Sequence, residues 1–275
     1  LGRPLSGEPH DIRGHTRGDL VAFKESAYVP QRTLAICAGQ IRHADWVSQL
    51  AHCLGSSPPG SNRSPRAVTS RTRQRPIRIA TRRIEQTHLA LGFRLFGRQD
   101  PRRYALNLLS VILGGNMSSR LFQQIRERRG WAYAVHAHAQ LFADTGVLQI
   151  AAALRRDRTQ QALELIAAEL KRLRTEAVRP AELRRAKDFA CGQLLLALEN
   201  ATAIMRFVAS NLLGYGRVVQ PAEIVAGLEA VTPADVQALA HEIFQRPQAS
   251  LAVLTPETHP LSEADGTMWL ACCGE

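Results

Sequence analysis

Apolar residues recur along this chain with two alternating periods, and the points where the period changes mark its elements. Residues 1–15 are rich in Gly and Pro without any period, so they read as an extended entry loop. Thr16 and Asp19 form a capping-box variant ahead of Leu20, Phe23 and Ala27, which predicts a short amphipathic helix ended by Pro30. The run Thr33–Ala38 is apolar and partly β-branched, the pattern of a buried strand, and Gly39 closes it. Asp45–Leu54 returns to helical spacing with Trp46, Val47 and Leu50 inward.

Between residues 56 and 76 the period is lost. Ser, Pro, Gly and Arg build no core, so this stretch predicts a tether, and its basic run, which reaches Arg83, reads as solvated chain. Order resumes with strands over Ile77–Ile84 and Thr87–Leu95. Asp100 caps a helix with Pro101 first, running through Leu108 and Ile112 to a stop at Gly114 and Gly115. Ser118–Arg128 is a further helix, and Tyr133–Gln140 and Val147–Leu154 form a hairpin around Asp144 and Gly146. Helices follow over 159–174 and 180–199, through Met205–Leu213, from Pro221 to Ala230 and after a Thr232 cap. Ser250–Leu254 is a last strand, and the tail from 257 to 275 is irregular.

Composition narrows this picture. A chain of 275 residues with 45% hydrophobic residues can bury a core, and 5% aromatics make that core aliphatic. The net charge of +11 comes almost wholly from arginine. Without interleaved aromatic stacking positions, nucleic acid is the weaker reading of that charge. No apolar run reaches membrane-spanning length, so no membrane partner is expected. The cysteines (Cys37, Cys53, Cys191, Cys272 and Cys273) include no C-x-x-C pair, and their odd number argues against a disulfide framework. Cys37 and Cys191 read as buried small hydrophobes. The first residue, Leu1, suggests a piece of a longer protein.

The chain also repeats itself. Thr16, Asp19, Leu20 and Phe23 are echoed by Thr232, Asp235, Val236 and Leu239, then Tyr28 by Phe244, then Leu34, Ala35 and Ile36 by Leu251, Ala252 and Val253. A capped helix followed by a short strand thus occurs twice.

Candidate metal ligands are sparse. His241 and Glu242 begin a zinc motif, but Gln245 stands where the second histidine belongs. His136 and His138 share a face of a strand, as a metal pair or as ordinary surface residues, and His10 and His15 lie in a loop without a third partner. Gly114, Gly115 and Asn116 precede a helix but lack the Lys-Ser/Thr of a phosphate loop, so they read as a helix–helix corner.

The segment Leu113–Val135, LGGNMSSRLFQQIRERRGWAYAV, strongly resembles the second half of insulinase/pitrilysin metallopeptidases, including the mitochondrial processing peptidase type. Asp144, Thr145 and Gly146, the stretches Ala181–Asn200 and Val231–Ala240, and the opening segments around Leu1–Gly7 and Leu20–Gly39 fit the same pattern. The resemblance implies an α+β fold with a mixed, largely antiparallel sheet backed by helices, in two homologous halves that close on an unfolded peptide. It divides this chain into the end of the first half (1–55), a linker (56–76), a complete second half (77–256) and a tail (257–275). It also implies a zinc ion bound by an inverted His-x-x-Glu-His motif of the first half, which this chain lacks.

By the same resemblance Tyr133 and Arg126 reach into the substrate cleft, Tyr133 toward the scissile carbonyl and Arg126 steadying substrate or tyrosine; read as residues alone, they are a surface Arg and a half-buried Tyr. Arg128 and Arg129 read as a solvated helix end. The expected function is the substrate-clamping half of a zinc endopeptidase, inactive alone, acting with the missing first half. The alternative is a non-catalytic peptide-binding or scaffold subunit paired with a catalytic homologue.

Overall fold

The structure, a computed structural model, describes residues 5–55, 60, 67–68, 77–245, 249–257 and 266–267. Two compact units share the chain: residues 1–66 with 200–209, and residues 67–199 with 210–275.

The larger unit is built on a five-stranded sheet of order β1-β5-β2-β4-β3. The strands are β1 (Ile77–Arg82), β2 (Gln86–Leu95), β3 (Ala132–Leu141), β4 (Gly146–Arg155) and β5 (Ala249–Pro256). Only β1 and β5 run parallel, so the sheet is mixed and largely antiparallel, as expected. Strict alternation explains which face is covered. Leu89, Leu91, Phe93 and Leu95 of β2 point inward with Leu148, Ile150, Ala152 and Leu154 of β4.

Helices cover that inner face. The helices α4 (Arg103–Ser110), α5 (Thr159–Thr175), α6 (Pro180–Ala197), α8 (Pro221–Ala230) and α9 (Pro233–Ile243) lie in this unit, and α7 (Ala201–Tyr215) straddles the division. Leu106, Leu108 and Leu109 of α4, Ile166 and Leu170 of α5, and Val236 and Leu239 of α9 are buried in one core with the strands. Phe93 and Phe244 meet edge to face at 5.0 Å.

A half-buried ion network ties the turn at Arg120 to this layer. The Arg120 guanidinium grips Glu182 in a fork at 2.8 and 2.9 Å and lies 3.6 Å from Glu169. Burial works against the charge, but the carboxylates of Glu182 and Glu169 outweigh it and hold the Arg120 guanidinium above its ordinary value.

The leading unit contains α1 (Pro9–Gly14), α2 (Arg17–Ala27), a 3-10 turn over Pro30–Arg32 and α3 (His43–Leu54). None of these helices buries a residue.

Several local expectations need correcting. Pro9–Gly14 is helical rather than extended, because Pro9 opens it and Glu8 and Asp11 close a capping box. Thr33–Ala38 forms no strand, since the described residues of its unit offer no extended segment to complete a ladder. Of the three residues expected inward on α3, Trp46 and Leu50 are partly covered but Val47 is 47% exposed, and none is fully buried. Asp100 does not cap α4; its carboxylate takes the Arg102 amide at 2.9 Å and the Arg102 guanidinium, and the helix starts after it. Cys37 and Cys191 are only partly buried, while Cys272, Cys273, most of 56–76 and most of the tail lie outside the described residues.

Candidate functional site

Two wide turns shape the Leu113–Val135 segment, one at its start and one inside it. Val111–Gly115 and Phe122–Glu127 both widen to π-helical geometry, a device that shifts the phase of the residues after it. In the second, the Arg128 amide donates to the Gln123 carbonyl five residues back at 3.0 Å. Helical spacing alone would not reveal this widening.

The first turn presses on β3. Ser110 Oγ donates to the Ala137 carbonyl at 3.2 Å in a buried bond. Gly114 lies so close that a Cβ there would sit 2.5 Å from the Ala137 amide nitrogen. The pair Gly114 and Gly115 is therefore a close-packing corner, in keeping with the helix-corner reading.

The second turn ends in a tight reversal. Gly130 takes a φ of +61°, which favours glycine, and its amide donates to the Arg126 carbonyl at 3.0 Å. The Trp131 amide then bonds the Ile125 carbonyl at 3.0 Å, and the Arg155 amide bonds the Trp131 carbonyl at 2.8 Å. These bonds lead the chain from the helix directly into β3.

Tyr133 sits at the first irregularity of that strand. Ala132 pairs with Leu154 and Ala134 with Ala153, so Tyr133 is one residue too many for the ladder. This β-bulge lets Ala132 and Val135, three apart, both face the core. It leaves Tyr133 opposite Ala153 on the uncovered side, 76% exposed and without a hydrogen-bond partner among the described residues. A trace of the bulge is present in the sequence, where the two core positions fall out of step with strict alternation.

Arg126 lies on the same reversal, exposed at the end of the helix turn. Its guanidinium stacks over the Phe122 ring at 4.9 Å and makes no hydrogen bond to Tyr133. The structure thus brings the two onto one loop without joining their side chains. Arg129 donates to the Gln124 carbonyl at 2.9 Å and stacks on Trp131, so it braces the reversal rather than being merely solvated.

The uncovered face continues from Tyr133 through His136 and His138. Its centre is floored by small residues: Ala90 pairs with Ala151 on one side and Ala252 on the other, and Ala151 with His136. His136, His138 and Gln149 line an open pocket of about 450 Å3 with Gly114, Gly115 and Ala137.

The residues present do not fit a zinc site. Among the described residues no group of three or more His, Cys, Asp or Glu could hold a metal ion. Glu242 is engaged by Arg102 at 2.5 Å, and the Gln245 side chain bonds the His241 carbonyl at 2.5 Å, which fills the incomplete motif with structural contacts. His136 and His138 share a face but have no third ligand among the described residues.

A mixed sheet with helices on one side and an open polar face on the other defines a two-layer α+β domain. Comparison with known proteins narrows the class further. Residues 15–189 match the family described as peptidase M16 inactive domain, and the chain belongs to that family, whose members include the insulinase-type zinc peptidases. An uncharacterized zinc protease of Mycobacterium leprae is 34% identical over 259 residues, covering 93% of this chain and 58% of that protein. An uncharacterized zinc protease of Bacillus subtilis is 30% identical over 261 residues, covering 93% and 62%. Among solved structures, a protease from Helicobacter pylori superposes with a TM-score of 0.82 at 18% identity, over 91% of this chain and 61% of that one. The peptidase M16 inactive domain from Pseudomonas fluorescens gives 0.77 at 18% identity, over 94% and 62%. The chain spans about three-fifths of the length of the curated relatives it matches. No helix among the described residues is long and apolar enough to cross a membrane.

Proposed function

We propose that this chain is the substrate-clamping portion of an insulinase-type zinc endopeptidase, comprising the end of a first homologous half (1–55), a tether (56–76) and a second half (77–256). Zinc would be held by a portion of the protein with a His-x-x-Glu-His motif, and the present chain would be inactive without it. The substrate is a peptide or unfolded protein laid along the open sheet face.

The observation that carries this reading is the bulge at Tyr133. It turns a neutral O–H donor out of the ladder onto an uncovered surface, at a point fixed by the Gly130 reversal. A phenol so placed can donate to the carbonyl oxygen of the bond being cut and stabilise the charge that develops there. Arg126, held by Phe122, would steady the peptide beside it.

In the full-length protein, Tyr133→Phe removes one hydrogen bond made chiefly in the transition state. The expected result is a fall in kcat of about tenfold to a hundredfold with KM changed by less than about twofold. Turnover equal to wild type would remove Tyr133 from the mechanism. The matched family is described as an inactive domain, which also suits a non-catalytic peptide-binding subunit beside a catalytic homologue. Reading the upstream coding sequence separates the two: an intact His-x-x-Glu-His motif supports the enzyme, a degenerate one the subunit.

A further inference from the structure

One end of the open sheet face is crowded with arginine. The register makes this a single row: Arg82 of β1 pairs with Pro256, Gln86 of β2 pairs with Arg155, and the Arg155 amide bonds Trp131 at the mouth of β3. Around that row, residues 82–85, 126–129, 155–158 and 256–257 hold eight arginines against the four carboxylates Glu85, Glu127, Asp157 and Glu257. Three separate chain segments deliver this charge, so it is a product of the fold and not of one basic run.

Part of it is already balanced. Arg155 and Arg158 share Asp157, at 2.9 and 3.4 Å, and Arg83 lies 3.6 Å from Glu257. The Arg82 and Arg128 side chains have no partner among the described residues, and Arg126 has only the Phe122 ring. An open pocket of about 600 Å3 lies at the same end, lined by Arg83, Arg156 and Glu257 among others. Arg82 and Arg155 alternate onto the same side of the sheet as Tyr133, because Ile79, Leu154 and Ala132 face the core side.

We infer that this arginine rim selects substrates, and that the peptide crossing Tyr133 carries acidic residues on the side that lies over β4, β2 and β1. The inference rests on the clamp reading above. Five strands about 4.8 Å apart make a row of roughly 19 Å, the span of about six residues of extended peptide. Carboxylates along such a peptide meet guanidiniums that lack partners, and the gain is electrostatic and sensitive to salt. A nucleic acid would find the same charge but no row of stacking positions, since Tyr133 is followed across the floor by Ala90, Ala151, Ala153 and Ala252.

The test uses the 275-residue chain and three labelled, unstructured peptides of equal length, one with an acidic block, one neutral and one lysine-rich, in fluorescence anisotropy titrations. The acidic peptide should bind at least about tenfold more tightly than the neutral one at about 50 mM salt, with most of the advantage gone at about 500 mM. The double substitution Arg82→Gln and Arg128→Gln, at the two side chains without a partner among the described residues, should erase most of the advantage and leave neutral-peptide affinity unchanged. Circular dichroism checks that this variant is folded, and the salt series on the wild-type chain decides the matter if it is not. Equal affinity for acidic and neutral peptides overturns the inference and leaves the clamp standing. No binding of any peptide overturns both. A single-stranded oligonucleotide that binds more tightly than an acidic peptide of equal charge also overturns it, and assigns the rim to nucleic acid.

Discussion

At the scale of single residues, the region around the site is shaped by glycine as much as by polar groups. Gly114 is needed because the helix end meets the β3 backbone; its φ of −162° is ordinary. Gly114→Ala should therefore cost about 2–3 kcal/mol through overpacking against Ala137, measured by urea unfolding. A loss below about 0.5 kcal/mol would show that the corner relaxes freely. Sequence reading found Gly114 as a helix stop and Tyr133 as a candidate, but gave neither its reason. The contact that constrains Gly114 is with residues more than twenty positions away, and a local period does not record it. The exposure of Tyr133 depends on a count of residues on two strands together.

Most elements with local signals are legible in the sequence, the Pro9–Gly14 helix being an exception because its Gly and Pro content reads as a loop. The hairpin of β3 and β4, the helix after Pro180 and the cap at Thr232 all fall where their turn and capping residues indicate. The two capping boxes agree closely. Thr16 and Thr232 each accept from the third residue's amide at 3.2 Å, and each of their own amides donates to the aspartate at 2.8 Å. The side-chain hydroxyl of Thr232, then its amide, holds the Asp235 carboxyl below the usual carboxylate range. A depressed folded value means that this stabilisation is complete above the unfolded pKa of about 3.9 and is lost as pH falls through the folded one. Thr232→Ala should lower the stability of the larger unit by about 1 kcal/mol at neutral pH, and by less below about pH 4, in urea melts followed by circular dichroism. An undiminished effect in acid would exclude the carboxylate. Thr33–Ala38 has the apolar pattern of a strand but forms none, because a strand is a property of a pair and the pattern is silent about whether a neighbour exists.

At the scale of the whole molecule, the class of fold, a mixed sheet with a helical layer, is legible in the sequence, and the resemblance read from Leu113–Val135 and the later blocks agrees with the family match over residues 15–189. What periodicity could not supply was the gathering of arginines from three segments onto one end of the sheet, since that depends on register. The lack of fit to zinc has a molecule-scale consequence as well. After chelation and dialysis against equimolar zinc, the purified chain should retain less than about 0.1 zinc per molecule by mass spectrometry. One tightly held ion per chain would defeat the reading that another portion of the protein supplies the ligands. The twin capped helices carry a last consequence. Both α2 and α9 have eleven residues and the same terminal bonding, yet α9 buries Val236, Leu239, Ala240 and Ile243 while α2 buries nothing. A single polypeptide thus contains its own matched control, and comparing amide exchange along the two would read off what tertiary contact adds to a helix once length and end chemistry are held fixed.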